Sequence, residues 1–436
     1  MYWKPEIEIL PQQQLHILQA QRLQETLSRA ANSPFYGQQF KQHGISAEMI
    51  KNVDDIRRLP FTTKEDLRSH FPYGFLTVPK QGAVRLHCSS GTTGNPTVIF
   101  HDNHDLSSWA DLVARSLYCA GLRDTDVFQN ICGYGLFTGG LGFQYGAERL
   151  GALVIPAAAG NTRRQIKLMQ DFGTTAIHTI PSYLYRLYAA FQDMGLDPQH
   201  DTNLKLFVIG AEPHTDAQRR RIENLFGVKA FNSYGLSEMN GPGVAFECEY
   251  QNGLHVWEDA FLTEIIDPDT LEPVPDGEEG ELVFTTLDRH AMPLLRYRTR
   301  DLTRFLPGDC PCGRTHRRLA RISGRTDDMF IIKGCNVFPM QIEKVLMRFA
   351  EVGTDYIIAL DTVDGNDEIT VKIELQKSWF TGDLEALENL SRRIAHELRD
   401  EILVTPAIKL VEPGSLPKSE GKAIRVQDSR DPKEAL

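Results

Sequence analysis

Residues 204–227 read Leu-Lys-Leu-Phe-Val-Ile-Gly-Ala-Glu-Pro-His-Thr-Asp-Ala-Gln-Arg-Arg-Arg-Ile-Glu-Asn-Leu-Phe-Gly, and this stretch decides the fold. The apolar run Leu204–Ile209 predicts a buried strand. Residues 210–213 break the run, and Asp216–Phe226 follows as a predicted helix that ends at Gly227. A strand followed by a helix is part of a βαβ unit, so the stretch predicts a parallel sheet.

The same alternation of apolar runs and helical patterns extends from about residue 104 to residue 230. Buried strands are predicted at Val127–Ile131, Ala152–Ile155 and Thr175–Ile180. Further helices are predicted at Gln12–Ala31, Leu106–Leu117 and Arg163–Met169. Residues 264–284 are rich in proline, glycine and acidic residues and predict hairpins. The expected fold class is therefore α/β, with mainly parallel sheets and a smaller β region in a large N-terminal part.

A second unit is predicted after the polar, turn-prone linker at residues 323–328. Its elements are helix Met340–Phe349, strands Tyr356–Leu360 and Glu368–Leu375, helix Leu384–Leu398 and strand Ala407–Val411. This order predicts a small α+β domain. We place the N-terminal domain at residues 1–326 and the C-terminal domain at residues 327–436.

Composition and charge exclude several classes of function. The chain has 436 residues and a formal charge of −11, which argues against a nucleic-acid partner. No run reaches the roughly 18 apolar residues of a membrane span, and the first residues lack the pattern of a signal peptide. The seven cysteines are scattered and odd in number, which does not resemble a disulfide framework and favours the reducing cytoplasm.

A loop rich in serine, threonine and glycine is the first candidate site. Residues 89–97 read Ser-Ser-Gly-Thr-Thr-Gly-Asn-Pro-Thr, which offers hydroxyls, tight turns and exposed backbone N–H groups suited to a phosphate chain. The spacing is not that of a Walker A loop. Strand-like flanks at 84–87 and 97–100 predict a hairpin tip. An ordinary polar turn is the alternative interpretation.

Several blocks occur together with this loop, in a fixed order. They are Gly-Ala-Glu-Pro at 210–213, Tyr-Gly-Leu-Ser-Glu at 234–238, Arg-Thr-Arg-Asp at 298–301, Arg-Ile-Ser-Gly-Arg-Thr-Asp-Asp-Met-Phe-Ile-Ile-Lys-Gly at 321–334 and Ser-Glu-Gly-Lys-Ala at 419–423. The chain resembles the adenylate-forming superfamily of acyl-CoA synthetases, adenylation domains and luciferases. Within it, residues 134–140 and 234–244 are most similar to phenylacetate–CoA ligases. The similarity runs from about residue 20 to the end.

The resemblance implies a two-step reaction and assigns roles to residues. A carboxylate attacks the α-phosphorus of ATP and pyrophosphate leaves; the thiol of coenzyme A then attacks the acyl carbon and AMP leaves. Lys422 would be catalytic in the first step, Glu238 would hold Mg²⁺, and the mobile C-terminal domain would rotate about Asp327. The implied ATP and AMP contacts are Ser89, Ser90, Gly91, Thr92, Thr93, Gly94, Gly210, Ala211, Glu212, Pro213, Ser233, Tyr234, Gly235, Ser237, Asp301 and Arg325.

Two further sets are assigned by the same resemblance. The pocket for an aryl acid would be lined by Tyr134, Phe137, Gly139, Gly140, Ala211, Gly241 and Pro242. The tunnel for coenzyme A would involve Lys333, Gly334, Cys335 and Asn336. Aromatic residues in a glycine-rich loop are also common as plain packing. The basic residues Arg314, Arg317, Arg318 and Arg321 fit either the phosphates of coenzyme A or a solvated face. Asn95 stands where relatives usually carry lysine.

Cys248, His255, Cys310 and Cys312 form a separate constellation. Cys248 and His255 bracket a predicted hairpin with Asn252-Gly253 at its turn. Cys310-Pro311-Cys312 is a short pair that could complete a tetrahedral Cys₃His zinc site. Because the protein would fill all four positions, the zinc would be structural. The alternative is unrelated thiols and a core histidine.

Together these features predict an ATP-dependent aryl acid–CoA ligase, with phenylacetate as the favoured acid. The expected cofactors are ATP, Mg²⁺, coenzyme A as co-substrate, and structural Zn²⁺. Partners are small molecules rather than nucleic acid or membrane, and a homodimer is compatible with the sequence. The alternatives are another aryl or indolyl acid, loading of a carrier protein, or a non-catalytic nucleotide-binding module.

Overall fold

The computed structural model describes residues 1–88, 96–212, 214–333, 335–363, 366–380, 382–417 and 425–430. The chain forms two compact units. Unit 1 comprises Met1–Ile180, Ala189–Ala211 and Gly227–Ile322. Unit 2 comprises Pro181–Tyr188, Glu212–Phe226 and Ser323–Leu436. The domain boundary that we predict between residues 326 and 327 stays a prediction, because unit 2 also takes two segments from the N-terminal part.

The α-helices of the described residues are, in chain order, α1 (Pro5–Glu8), α2 (Gln12–Ala30), α3 (Pro34–His43), α4 (Lys64–Ser69), α5 (Asn103–Ala120), α6 (Thr138–Leu150), α7 (Thr162–Phe172), α8 (Pro181–Asp193), α9 (Asp216–Phe226), α10 (Pro339–Leu346) and α11 (Leu384–Ile402). Short 3₁₀ turns lie at Ala47–Met49, Val53–Arg58, Lys80–Gly82 and Ser237–Met239. No helix in the described part of the chain is both long and apolar enough to cross a membrane.

The strands of the described residues are β1 (Arg85–Cys88), β2 (Val98–His101), β3 (Val127–Asn130), β4 (Leu153–Ile155), β5 (Ala176–Thr179), β6 (Leu206–Gly210), β7 (Lys229–Leu236), β8 (Gly241–Glu247), β9 (Leu254–Val256), β10 (Phe261–Ile266), β11 (Gly280–Thr286), β12 (Tyr297–Thr303), β13 (Phe305–Leu306), β14 (Arg318–Leu319), β15 (Gly324–Arg325), β16 (Phe330–Ile332), β17 (Cys335–Val337), β18 (Val352–Val363), β19 (Asn366–Leu375), β20 (Ala407–Val411) and β21 (Val426–Asp428).

The main sheet of unit 1 has the strand order β13-β14-β9-β8-β7-β6-β5-β3-β4. Strands β4, β3, β5, β6 and β7 are parallel, and the others continue the sheet antiparallel. The predicted α/β fold with a mainly parallel sheet is therefore confirmed. The carboxyl ends of the parallel strands meet at one edge, which is where open α/β sheets bind their ligands.

The stretch at residues 204–227 folds as its pattern predicts. Strand β6 covers most of the apolar run, and α9 has the predicted bounds Asp216–Phe226. Gly227 follows with φ of +68°, the left-handed conformation that ends many helices. In the smaller β region, β10 pairs antiparallel with β11, and β11 with β12, which confirms hairpin-type pairing there.

Helix α6 occupies residues for which we expect a glycine-rich loop. It begins at Thr138, so Gly139 and Gly140 lie in its first turn. A Cβ atom at Gly142 would come within 2.5 Å of the Trp109 ring, and one at Gly146 would collide with Val113. The glycines therefore let α6 approach α5 closely, and this packing outweighs the poor helix propensity of glycine.

The C-terminal segment of unit 2 contains a four-stranded sheet of order β20-β19-β18-β21. Strand β18 pairs antiparallel with β19, and the outer strands are parallel to their neighbours. The two helices α10 and α11 bury an apolar face with the sheet, and the shared core includes Ile342, Leu346, Ile358, Val371, Ile373, Ile394 and Leu398. These elements follow the predicted α+β order.

Candidate active site and metal centre

Several candidate nucleotide-binding residues of unit 1 lie where β6 and β7 end. Gly210 is in register with Ser233 across the parallel pair. A side chain at Gly210 would collide with the Ser233 carbonyl, so only glycine allows this approach. Ala211 follows with φ of +65°, which turns the chain sharply away from the sheet. The structure thus brings these residues together at the ligand-binding edge.

Tyr234 and Asp301 are joined by a short hydrogen bond. The Tyr234 hydroxyl donates to Oδ2 of Asp301 at 2.5 Å. The Tyr234 ring stacks against Phe284, with 6.3 Å between ring centroids. Asp301 is buried on β12, and its backbone N–H donates to Oγ1 of Thr299. A fixed carboxylate beside an aromatic ring is an arrangement that suits a nucleoside, since the ring can contact the base and the carboxylate can accept from ribose hydroxyls.

The turn after β7 carries Ser237 and Glu238 next to two other elements. Oγ1 of Thr97, which immediately precedes β2, donates to Oε1 of Glu238 at 3.5 Å. The hydroxyls of Ser237 and Thr138 lie 3.4 Å apart. A side chain at Gly241 would collide with Thr138, and Gly241 has φ of +88°. The β2 strand, the turn and the start of α6 therefore converge on one place.

The candidate acid pocket contains a polar network that the sequence did not reveal. Nδ2 of Asn130 donates to the Tyr134 hydroxyl at 3.0 Å and to the Gly140 carbonyl at 2.7 Å. Oδ1 of Asn130 lies 2.8 Å from Nδ1 of His178. Burial lowers the pKa of His178 to about 3, so this imidazole is neutral and its Nδ1–H donates to Asn130. Both residues belong to strands whose apolar runs predict only core positions.

The remaining pocket residues differ in exposure. Pro242 is fixed through its carbonyl, which accepts from Nε1 of Trp109 at 2.9 Å. Gly139 is half-buried, and Phe137 is 52% exposed just before α6, so the aromatic wall is open to solvent here. Gly235, which is predicted to contact the nucleotide, is exposed, and a side chain there would collide with the Gly241 carbonyl.

Strands β1 and β2 form the hairpin predicted to carry the phosphate loop. They pair antiparallel with Cys88 opposite Val98, and the Cys88 N–H donates to the Leu136 carbonyl at 3.0 Å. The hairpin is thereby tied to the segment that leads into α6. The candidate residues that lie outside the described residues are Ser89, Ser90, Gly91, Thr92, Thr93, Gly94, Asn95, Pro213, Gly334 and Lys422.

Unit 2 holds the other predicted functional residues. Glu212 accepts from the backbone N–H and the hydroxyl of Ser182, at 3.1 Å and 2.9 Å. Arg325 donates to both carboxylate oxygens of Asp327, at 2.9 Å and 3.0 Å. Lys333 has φ of +49° and follows β16, which pairs with β17 so that Ile332 faces Cys335. The backbone of Asn336 lies in β17.

The predicted zinc ligands come together in unit 1. The ligand atoms of Cys248, His255, Cys310 and Cys312 all lie within 4.8 Å of one another. Sγ of Cys248 is 3.6 Å from Sγ of Cys310, and Sγ of Cys312 is 3.3 Å from Nε2 of His255. A tetrahedral zinc with Zn–S bonds of about 2.3 Å has edges of about 3.5–3.8 Å between ligand atoms. The cluster therefore fits zinc in both ligand type and spacing.

The surroundings of the cluster orient its ligands. Nδ1 of His255 lies 3.2 Å from the His316 carbonyl, so Nδ1–H donates there and Nε2 remains for a metal. The pKa of the Cys312 thiol is lowered, mainly by the hydrogen bond from Cys248. Burial raises this pKa, and the hydrogen bond from His255 lowers it further.

The predicted hairpin between β8 and β9 is present, but its turn differs from the prediction. The connection spans 248–253 and contains a reverse turn from Cys248 to Gln251.

The basic cluster of Arg314, Arg317, Arg318 and Arg321 forms ion pairs and hydrogen bonds with other parts of the protein. Arg314 pairs with Glu8 at 2.6 Å, Arg317 with Glu258 at 2.7 Å and Arg321 with Glu247 at 3.4 Å. Arg318 donates to the carbonyls of Asn252, Pro307 and Gly308. A solvated basic face is therefore wrong for Arg314 and Arg318, which are 5% and 4% exposed. Sequence alone did not indicate these acidic partners, which are distant in the chain.

Comparison with known proteins defines the class. Residues 62–287 match the family model of AMP-binding enzymes, and residues 334–430 match that of the AMP-binding enzyme C-terminal domain. The crystal structure of 2-hydroxyisobutyryl-CoA ligase in the postadenylation state superposes with a TM-score of 0.92 and 29% identity, covering 98% of this chain and 92% of that chain. The fold and the site thus define an AMP-forming acid–CoA ligase.

Two curated relatives identify the family within this class. The phenylacetate–coenzyme A ligase of Thermus thermophilus is 45% identical, with 99% of this chain and 100% of the relative covered. That of Escherichia coli is 44% identical, with 98% and 97% covered. The chain belongs to the phenylacetate–coenzyme A ligase family.

Proposed function

We propose that this enzyme activates phenylacetate with ATP and transfers the acyl group to coenzyme A, releasing AMP and pyrophosphate. The observation that carries the proposal is the identity of 45% over 99% of the chain to a phenylacetate–coenzyme A ligase. The hydrogen bond between Tyr234 near the end of β7 and Asp301 on β12 supports it, as does the position of Glu238 in the turn after β7.

In the first step, a carboxylate oxygen of the acid attacks the α-phosphorus of ATP and the bond to pyrophosphate breaks. Asp301 would hold the ribose hydroxyls and Tyr234 would lie against adenine, because their hydrogen bond fixes the carboxylate beside the ring. Ser237 and the loop at residues 89–94 would donate to phosphate oxygens. Lys422 would stabilise the charge that develops between the carboxylate and the α-phosphate.

Glu238 is the residue that would hold Mg²⁺. Its carboxylate is a hard oxygen ligand and lies at the convergence of β2, the turn after β7 and the start of α6. When bound, Mg²⁺ neutralises phosphate charge. The protein keeps the Glu238 carboxylate in place, and the hydrogen bond from the Thr97 hydroxyl contributes to this positioning.

In the second step, the thiolate of coenzyme A attacks the acyl carbon, and the bond from that carbon to the AMP oxygen breaks. The segment that includes Lys333, Gly334, Cys335 and Asn336 would line the path of coenzyme A. Asp327 would be the hinge between the steps. Its bidentate ion pair with Arg325 is largely exposed and so contributes little stability, which suits a contact that must open.

The cluster of Cys248, His255, Cys310 and Cys312 would hold structural zinc, supported by the ligand spacing and the oriented imidazole. The zinc would join the β8–β9 connection to the loop before β14. We place the enzyme in the cytoplasm, where thiols stay reduced, because its seven cysteines are odd in number, are scattered along the chain and do not resemble a disulfide framework. We include a homodimer in the proposal, and a measurement of the oligomeric state tests it.

A pyrophosphate-release screen over phenyl, indolyl and other aryl acids tests the proposal. We expect release with phenylacetate that depends on ATP and the acid, followed by a thioester when coenzyme A is added. A parallel reaction with a carrier protein in place of coenzyme A should give no thioester. Release with an indolyl acid but not phenylacetate would reassign the substrate, and no release with any acid would favour a nucleotide-binding module.

A further inference from the structure

Arg289 is an arginine in unit 1 that no motif indicates, and it is almost fully buried. Its side chain is 1% exposed. Nη1 donates to the Glu238 carbonyl at 3.2 Å, and Nη2 donates to the Phe100 carbonyl at 2.9 Å. One guanidinium thus connects the turn that carries Glu238 to strand β2, which carries the candidate phosphate loop.

The backbone around Arg289 is held by contacts that do not use its side chain. The carboxylate of Asp105 accepts from the N–H groups of His290 and Ala291, at 2.7 Å and 3.0 Å. The neighbouring Asp288 accepts from Ser108 at 2.6 Å. The segment is therefore anchored to the first turns of α5. A change confined to the Arg289 side chain should leave the segment in place.

The environment of Arg289 is unusual for a buried cation. Its partners in the described part of the chain are backbone carbonyls, and its Nε has no hydrogen-bond partner. The neighbouring His101 is fully buried, and neither of its ring nitrogens has a partner among the described residues. Burial lowers the pKa of Arg289, and Asp105 and Asp102 counteract this from a distance. A buried cation without a carboxylate in contact costs stability, so a functional benefit is the natural explanation.

We infer that Arg289 is a positioning residue for adenylation. It holds the turn that carries Glu238 and strand β2, which follows the phosphate loop, at a fixed spacing. The inference rests on the proposed role of Glu238 and extends it. Arg289 would not touch the substrates, because its side chain is buried. It would act through the two carbonyls, so that the metal-holding carboxylate and strand β2 keep the spacing that MgATP requires. Binding of the acid and the second half-reaction do not use MgATP, so we expect them to depend less on this spacing.

The test compares Arg289→Met with the wild-type enzyme. Loss of two charge-assisted hydrogen bonds should raise the KM for ATP and the Mg²⁺ concentration for half-maximal pyrophosphate release by about tenfold each. The KM for the acid and thioester formation from supplied acyl-adenylate should change less than about twofold. Arg289→Lys, which can reach one carbonyl, should shift the Mg²⁺ dependence by about threefold.

Arg318→Met is the matched control, because Arg318 is also a buried arginine that donates to backbone carbonyls. It should lower thermal stability and leave the Mg²⁺ dependence of pyrophosphate release unchanged, because that step does not use coenzyme A. The inference is overturned if folded Arg289→Met and Arg289→Lys keep the wild-type Mg²⁺ and ATP dependence. It is also overturned if the KM for the acid rises as much as that for ATP, or if Arg318→Met shows the same shift. Inactivity of the wild-type enzyme would refute the proposed function instead.

Discussion

Replacing Cys310 by serine should remove zinc and destabilise unit 1 while sparing the chemistry of the folded enzyme. Cys310 and Cys248 are separated by 62 positions in the chain, and their sulfurs lie 3.6 Å apart. A cross-link that closes a loop of that length restricts the unfolded chain by about 4 kcal/mol. Serine is a poor zinc ligand, so most of this contribution should be lost with the metal. For a unit of this size the loss corresponds to a fall in Tm of on the order of 5–10 °C.

The assay combines metal analysis with thermal unfolding. Wild-type protein purified without chelator should contain about one zinc per chain, as expected for one tetrahedral site, and Cys310→Ser should contain far less. Cys119→Ser is the control, because Cys119 is also a buried thiol but lies outside the cluster. It should keep its zinc. Adenylation rate per folded molecule should change little in both variants, since we propose a structural role for the zinc.

Two results would refute the zinc reasoning. One is wild-type protein without zinc in which all seven thiols react freely in the native state. The other is a Cys310→Ser variant that loses its zinc but keeps the wild-type Tm, because the metal would then contribute nothing to folding.

Three further changes test the active site. Lys422→Ala should slow acyl-adenylate formation by on the order of a hundredfold or more, while thioester formation from supplied acyl-adenylate survives; equal loss in both steps would contradict the assignment. Asp327→Pro fixes φ near −65° and should spare one half-reaction and abolish the other, and two intact steps would place the pivot elsewhere. Asp301→Asn weakens a buried acceptor, so the KM for ATP should rise about tenfold or more without a matching rise for the acid, and an unchanged KM for ATP would remove Asp301 from the nucleotide site.

Much of the architecture was predictable because the sheet strands are continuous apolar runs. Helix α9 matches its predicted bounds, since Gly227 with positive φ ends it. Helix α6 was not predictable, because its glycines argue locally against a helix. Its stability comes from close packing against Trp109 and Val113, which are distant in sequence. Tertiary packing overrode local propensity there.

The candidate site likewise contains residues that the sequence could predict and residues that it could not. Short motifs led to the predictions for Tyr234 and Asp301, and the pattern of cysteines and a histidine predicted the cluster of Cys248, His255, Cys310 and Cys312 that the structure brings together. Asn130 and His178 were missed, since each is a single polar residue at the end of an apolar strand. Arg289 was missed because its role depends on two carbonyls contributed by other segments. A residue that acts through backbone contacts leaves no motif in a single sequence.

The central claim is that an acyl-adenylate joins the acid to coenzyme A, and oxygen-18 transfer tests it most directly. Phenylacetate labelled in both carboxylate oxygens is incubated with ATP, Mg²⁺ and coenzyme A, and the products are analysed by mass spectrometry. Attack of the carboxylate on the α-phosphorus leaves one labelled oxygen in AMP when the thiol displaces it. We therefore predict AMP that carries one heavy oxygen and unlabelled pyrophosphate. A thioester formed with unlabelled AMP, or with the label in phosphate or pyrophosphate, would contradict the account.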